Sequence, residues 1–430
     1  MRATPSLHAS CHRGADFTSP LTIPGGEVAG AEVVRELPPE LALTVWQALR
    51  SVLMWAAEVP AYRGELFERR AMEQWECELL EGSWDADLRY PVAVIVGELA
   101  APQGASGEAM AHACLCVTEW SLAHNATRTA LAFTEAAALC QPDHPRYAWM
   151  AGRMLRTHGY RREAEQWIKR SARIASSKGD WEAQTLALNS LGNVLAEGGN
   201  YRQAAQTQSQ ALRIARKHRL REREGEVLHD LFVATAYIGN LDSAENYARE
   251  ALEIYCPDHA RLLPLAHDVA VLWLKRGQFD RAFPVLMALL DHFTQGKQRL
   301  LILGSAGWAA GRCGEEAQFQ RLSNDALDLV ERSITGEAVP RVLYELGLGA
   351  WSLERWEFAE DLLMRAEATA RLQGEADIIV EAETSLTAVR TRQSAAPAGV
   401  AVERAAPGRQ TLARHFVATL RTVPVSAEAR

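Results

Sequence analysis

One small residue returns along this chain at a nearly fixed step. A chain that repeats itself every forty residues or so, roughly, folds by stacking copies of one unit, because a single copy cannot bury its own apolar face. Ala130, Ala164, Ala204, Ala244 and Ala282 mark the series at steps of 34, 40, 40 and 38 residues. Ala359 resumes it 77 residues further on, which leaves room for two units, one of them degenerate and lying around Gly307 to Phe319.

Other positions recur at fixed offsets from that alanine. The clearest unit has Leu188, Leu191, Gly192, Leu195, Gly199, Asn200, Tyr201, Ala204 and Ala211. The unit before it has Ala151, Gly152, Leu155, Gly159, Tyr160, Ala164 and Ile168, and the unit after it has Leu228, Leu231, Gly239, Asn240, Leu241, Ala244 and Ala248. Val269, Ala270, Trp273, Gly277, Phe279 and Ala282 follow, and Leu343, Leu346, Gly347, Ala350, Trp356 and Ala359 close the series. Each set reads as two helices joined by a tight turn. Gly152, Gly192, Gly307 and Gly347 stand where the two helices of a pair come close and a side chain would force them apart. Gly159, Gly199, Gly239 and Gly277 stand at the turn, where a helix ends and a positive φ is useful.

These offsets resemble the tetratricopeptide repeat over residues 108–375. The steps near 40 are similar to the longer-helix variety of kinesin light chains and bacterial peptide-receptor regulators. The tryptophan at the first signature place is mostly missing, and the unit around Gly307 admits a kink or a loosened joint. The resemblance implies an all-α fold, an α-solenoid of about six to seven helix pairs with a small helical N-terminal region. It divides the chain into a disordered N-terminus (1–37), a helical N-terminal region (38–105), the repeats (106–390) and a low-complexity basic tail (391–430) with room for one short helix.

In such stacks the first helix of each pair lines the concave surface. Carried over position by position, the resemblance implies a peptide-binding groove of Arg146, Trp149, Arg153, Arg156, Asn189, Asn193, His229, Tyr237, His267 and Lys275, continued by Trp308, Arg312, Arg341, Tyr344 and Trp351. The chemistry suits a peptide: Arg grips carboxylates in a fork, Asn both donates to and accepts from an extended main chain, and aromatic and Arg residues anchor interfaces. Asn189 and Asn193 are four residues apart and share one helical face.

Composition excludes several other functions. A net charge of −8 argues against nucleic acid as a partner, and the stretch Arg213 to Arg223 is read as a solvated helix end. No run of about 18 apolar residues occurs, so no membrane span is expected. Residues 1–24 lack a signal peptide's apolar core. With seven irregularly spaced cysteines, free thiols and a cytoplasmic setting are expected. Cys114 and Cys116 project about 200° apart on a helix, which disfavours a metal site. No phosphate loop, zinc-protease motif or nucleophile elbow occurs, and neighbours such as His229 and Asp230, or His267 and Asp268, do not face each other on a helix. No enzyme activity and no cofactor are expected.

The tail carries six Arg and two Glu, +4 against −12 for the rest, with Leu412, Phe416 and Leu420 at helical spacing. The expected function is a scaffold or adaptor that binds a protein or peptide segment. The alternative is a peptide-responsive regulatory sensor acting through a protein partner. Self-association at the ends of the stack is compatible with either.

Overall fold

A computed structural model describes residues 31–81, 84–332, 336–393 and 410–423. The first 30 residues, part of the N-terminus expected to be disordered, and residues 394–409 and 424–430 of the basic tail lie outside them. Every regular element among the described residues is helical. The chain divides into two units, Met1–Arg223 and Glu224–Arg430.

The first unit opens with α1 (Ala31–Glu36), α2 (Pro39–Ala57), a 3-10 turn at Pro60–Glu65, α3 (Arg69–Glu81) and α4 (Ala86–Leu99). Three pairs follow: α5 (Gly107–Ala123) with α6 (Thr127–Cys140), α7 (Pro145–Thr157) with α8 (Arg161–Lys178), and α9 (Trp181–Glu197) with α10 (Tyr201–Lys217). The second unit holds α11 (Arg221–Ile238, entering from the first unit) with α12 (Leu241–Ile254), and α13 (Leu262–Lys275) with α14 (Phe279–Leu290). Then come α15 (Gly296–Cys313) with α16 (Glu316–Arg332), a 3-10 turn at Gly336–Ala338, and α17 (Val339–Ser352) with α18 (Trp356–Gln373). α19 (Ala376–Arg390) and α20 (Gln410–Leu420) end the described chain.

Local chemistry sets the ends. The Ser106 hydroxyl and the Asp180 carboxylate accept the N–H groups of Ala109 and Ala183, three residues on, as N-caps do. Pro145 stands at the start of α7, where its missing N–H costs nothing. The turn glycines Gly159, Gly199, Gly239 and Gly277 all take positive φ, between 71° and 89°. Two short readings of the sequence resolve here. The apolar, β-branched run Tyr90 to Leu99, whose spacing alone fits either a strand or a buried helix, is part of helix α4. Residues 31–36, read as part of a disordered terminus, are helical. Val33 is fully buried there, and the Glu36 carboxylate accepts the N–H groups of Arg128 and Thr129 at the start of α6.

The repeating alanines explain the packing. Ala130, Ala164, Ala204, Ala244, Ala282 and Ala359 are all fully buried. A Cβ on Gly152 would meet Ile168 Cγ1 at 2.5 Å, one on Gly192 would collide with Gln208, and one on Gly347 would lie 2.8 Å from Leu363. Each contact joins the two helices of one pair.

Gly307 departs from this. Its Cβ would meet Leu346 of α17, the first helix of the next pair. Gly304 faces the Val342 backbone at 3.1 Å, and Gly311 lies against the Gly349 backbone. The weakest repeat in the sequence therefore forms a tight joint rather than a loosened one. Three glycines at i, i+3 and i+7 lie on one helical face, and they let two first helices touch backbone to backbone.

In the first unit, burial of Glu135 on α6 pushes its carboxyl up to about 7, against the indole N–H of Trp167 that donates to Oε1 at 2.7 Å. A carboxyl with a raised folded-state pKa favours folding below its ordinary pKa and loses that contribution as pH rises through about 7. Glu135→Gln keeps an acceptor for Trp167 and carries no charge. Its urea stability relative to the parent is expected to climb between pH 5 and pH 7.5, by about 3 kcal/mol at the plateau. A difference flat in pH would show that Glu135 ionises as freely in the folded chain as in the unfolded one.

Candidate functional site

Side chains one repeat apart meet across neighbouring first helices. In the first unit, the Trp149 indole on α7 donates to Ser190 Oγ on α9 at 2.8 Å, and Arg156 pairs with Glu197, each 41 residues away. Arg153 lies 5.4 Å from the Trp149 ring, and Arg146 is exposed beside it on α7. These four share one face of α7, with Arg146 and Arg153 exposed and Trp149 and Arg156 half-buried towards α9. The two asparagines expected in the groove are drawn inward. Asn189 is only 4% exposed, and Asn193 Oδ1 accepts the amide of Gln208 from the paired helix α10 at 2.9 Å. Gly192 lets Gln208 come close enough to engage the half-buried Asn193, while Asn189 is itself buried.

The second unit carries a cleft of about 190 Å³ between α11 and α13. Phe232, Val233, Ala236 and Tyr237 line one wall, and Asp268, Val271, Leu272 and Lys275 the other. The first set sits at i, i+1, i+4 and i+5 and the second at i, i+3, i+4 and i+7, so each is one helical stripe. At one end Lys275 Nζ lies 5.7 Å from the Tyr237 ring, and Tyr237 is 58% exposed. At the other end His229 and His267 converge on Asp268. The His229 Nε2–H donates to Asp268 Oδ2 at 3.0 Å, and His267 Nδ1 lies 3.7 Å from Oδ1.

Burial pushes the Asp268 carboxyl up, but the two imidazoles outweigh it and bring the group down to about 2. His229 is 6% exposed and acts as a positioning group for Asp268 rather than as an open groove residue. Sequence neighbours were expected to ignore each other here. His229 meets its carboxylate across helices, and His267 comes within reach of its own neighbour.

Further along the second unit the first helices continue the ladder. Ser305 on α15 donates to Glu345 on α17 at 2.8 Å, 40 residues away, and Arg341 donates to the same carboxylate at 3.0 Å. Burial pushes Glu345 up, with Arg341 opposing it. The further groove residues on α17 are likewise engaged. Arg341 also reaches Glu381 at 3.5 Å, and the Trp351 indole donates to the Gln393 carbonyl at 2.8 Å.

Both units are built from tetratricopeptide-type helix pairs. The sequence matches no protein-family model and no curated protein. Among solved structures, the chain is similar to aspartyl phosphate phosphatase F from Bacillus subtilis, at 11% identity and a TM-score of 0.44, covering 92% of this chain and 99% of that one. It is similar to BtubC (BKLC) from P. vanneervenii, at 17% identity and a TM-score of 0.41, covering 53% of this chain and 92% of that one. A Rap protein complexed with competence and sporulation factor matches at 11% identity and a TM-score of 0.41, over 83% of this chain and 99% of that one.

Among the described residues no group of three or more His, Cys, Asp or Glu side chains is arranged to hold a metal ion, and no helix is long and apolar enough to cross a membrane. The Asp268 cluster was missed by sequence reasoning, although a signal for it existed. His229 and Asp268 are 39 residues apart, about the repeat step, and equivalent places on successive first helices are neighbours.

Proposed function

We propose that this protein is a scaffold or adaptor that binds an extended segment of a protein or peptide through the first-helix faces of its repeats, with the α11–α13 cleft as the anchoring point. The observation that carries this reading is the cleft's composition. Five apolar side chains form its walls, an exposed tyrosine and lysine stand at one end, and a carboxylate held in place by two histidines stands at the other. Ligand sites are mostly apolar with a few placed polar groups that orient what enters. Lys275 has no carboxylate partner among the described residues, so an incoming anion would meet a cation without first breaking an ion pair.

The cleft favours binding over proton-transfer chemistry. A general acid or base works best with a pKa near the operating pH, and Asp268 at about 2 stays ionised and locked to its histidines. On α7 of the first unit, the exposed Arg146 and Arg153 flanking Trp149 offer a similar combination of an aromatic surface and cations, which suits an acidic segment. The reading is tested by selection from a displayed random-peptide library on the full-length protein. Enriched sequences are expected to pair an apolar side chain with a nearby Asp, Glu or terminal carboxylate. Recovery of no consensus, or of a basic one, would count against it.

A further inference from the structure

The tail's helix lies far from its place in the chain order. α20 follows α19 in sequence, yet it packs on α14, more than a hundred residues upstream. Its Leu412, Phe416 and Leu420 are buried to 1% exposure or less, with Ala413 beside them. The His292 Nε2–H, just beyond α14, donates to the Leu420 carbonyl at 3.0 Å and so satisfies one of the acceptors a helix end leaves open. An isolated helix shorter than about 12–15 residues is marginal in water. α20 has 11 residues, so its helical state depends on this seat.

The seat centres on Trp273 of α13. The Phe416 ring meets it edge-on, with centroids 6.4 Å apart. The Trp273 indole N–H donates to Glu245 on α12 at 3.0 Å, and the Arg281 guanidinium of α14 lies 4.1 Å from its ring. Trp273 therefore joins α12, α13 and α14, and α20 bears on it. Val271 and Lys275 lie two residues to either side of Trp273, about 200° round the helix, and both line the cleft. The face of α13 that α20 supports is opposite the face that forms the cleft wall.

We infer that α20 is an intramolecular strap: seated on α14 and Trp273, it holds α13 in the position that shapes the binding cleft on the other side. Its meaning for ligand capture rests on the proposed function of that cleft, but the strap itself can be tested without any ligand.

The experiment compares amide hydrogen exchange in the full-length chain with that of Phe416→Asp, which places a charge in the seat, and of Phe416→Leu, which keeps it apolar. In Phe416→Asp, exchange in α13, α14 and α20 is expected to rise at least tenfold while α7–α10 in the first unit keep their rates. Phe416→Leu is expected to stay within twofold of the parent. Unchanged rates in α13 and α14 of Phe416→Asp would overturn the inference. Should exchange in α7–α10 rise as well, the charge has unfolded the chain. Leu420→Ala, which trims one contact of the seat, then decides by the same comparison, with faster exchange in α13 and α14 supporting the strap and unchanged rates overturning it. Failure to find a peptide ligand would leave these exchange outcomes as they are.

Discussion

Arg281→Met destabilises the second unit by about 3–5 kcal/mol, the effect of leaving one member of a buried ion pair without its partner. Arg281 is 1% exposed. Its guanidinium donates to both oxygens of Glu245, at 2.8 and 3.1 Å, and to Gln278 at 2.6 Å. Burial pushes the Glu245 carboxyl up, and Arg281, the Trp273 indole and Arg276 together hold it below its ordinary value. Methionine fills much of the same space but cannot answer that charge. The Glu245→Leu/Arg281→Met double variant removes both charges and is expected to recover most of the loss, since an apolar replacement of a buried pair is often neutral or better. Urea unfolding of the two variants checks this. A single variant within 1 kcal/mol of the parent, roughly, would mean that Glu245 finds another partner or protonates at little cost.

Gly311→Ala is expected to cost about 3 kcal/mol, although alanine is the better helix former. Its Cβ would fall against the backbone of Gly349, with the Gly349 Cα only 2.6 Å away. Neither helix can yield there by rotating a side chain, so α15 and α17 must separate and loosen the contacts around Leu346 and Phe319. Gly97→Ala on α4 makes the contrast. The nearest neighbour of its Cβ is the carboxylate end of Glu76, at 2.5 Å, which swings away easily, and a gain approaching 1 kcal/mol is expected from helix propensity. Thermal and urea unfolding of both variants measures the difference. Equal effects would show that the α15–α17 joint adapts more readily than backbone contact allows.

Much of the architecture was legible in the residues that cannot carry bulk. Gly152, Gly192 and Gly347 report the meeting of two helices within a pair, because only a residue without a side chain fits there. Gly307 misled for a physical reason: the same residue serves contact within a pair and contact between pairs, and a single sequence does not distinguish them. The stripe Gly304, Gly307, Gly311 was the available sign, since a pair's inner contact needs only one small residue per unit.

The proposed binding face was less legible. Helical position places Asn189 and Asn193 on one stripe, but whether that stripe is open depends on how closely the adjacent helices approach, which Gly192 and Gln208 decide in space. Asp268 was dismissed with its neighbour His267, yet its partner His229 stands one repeat away. The ladder of Trp149 with Ser190, Arg156 with Glu197, Ser305 with Glu345 and Lys297 with Glu337 follows the same step. Comparing each first-helix residue with the one about forty places on would have exposed it, because a stack turns the repeat length into a spatial neighbour.

The central claim is that the α11–α13 cleft receives part of an extended ligand, and it is most directly tested by the affinity of a library-selected peptide for Val271→Arg. Val271 contributes only a side chain on the cleft wall, and arginine there fills the space with charge. A loss of about a hundredfold, some 2.7 kcal/mol, is expected, with unchanged helix content and unfolding midpoint. Binding as tight as the parent's, in a variant as stable as the parent, would contradict it.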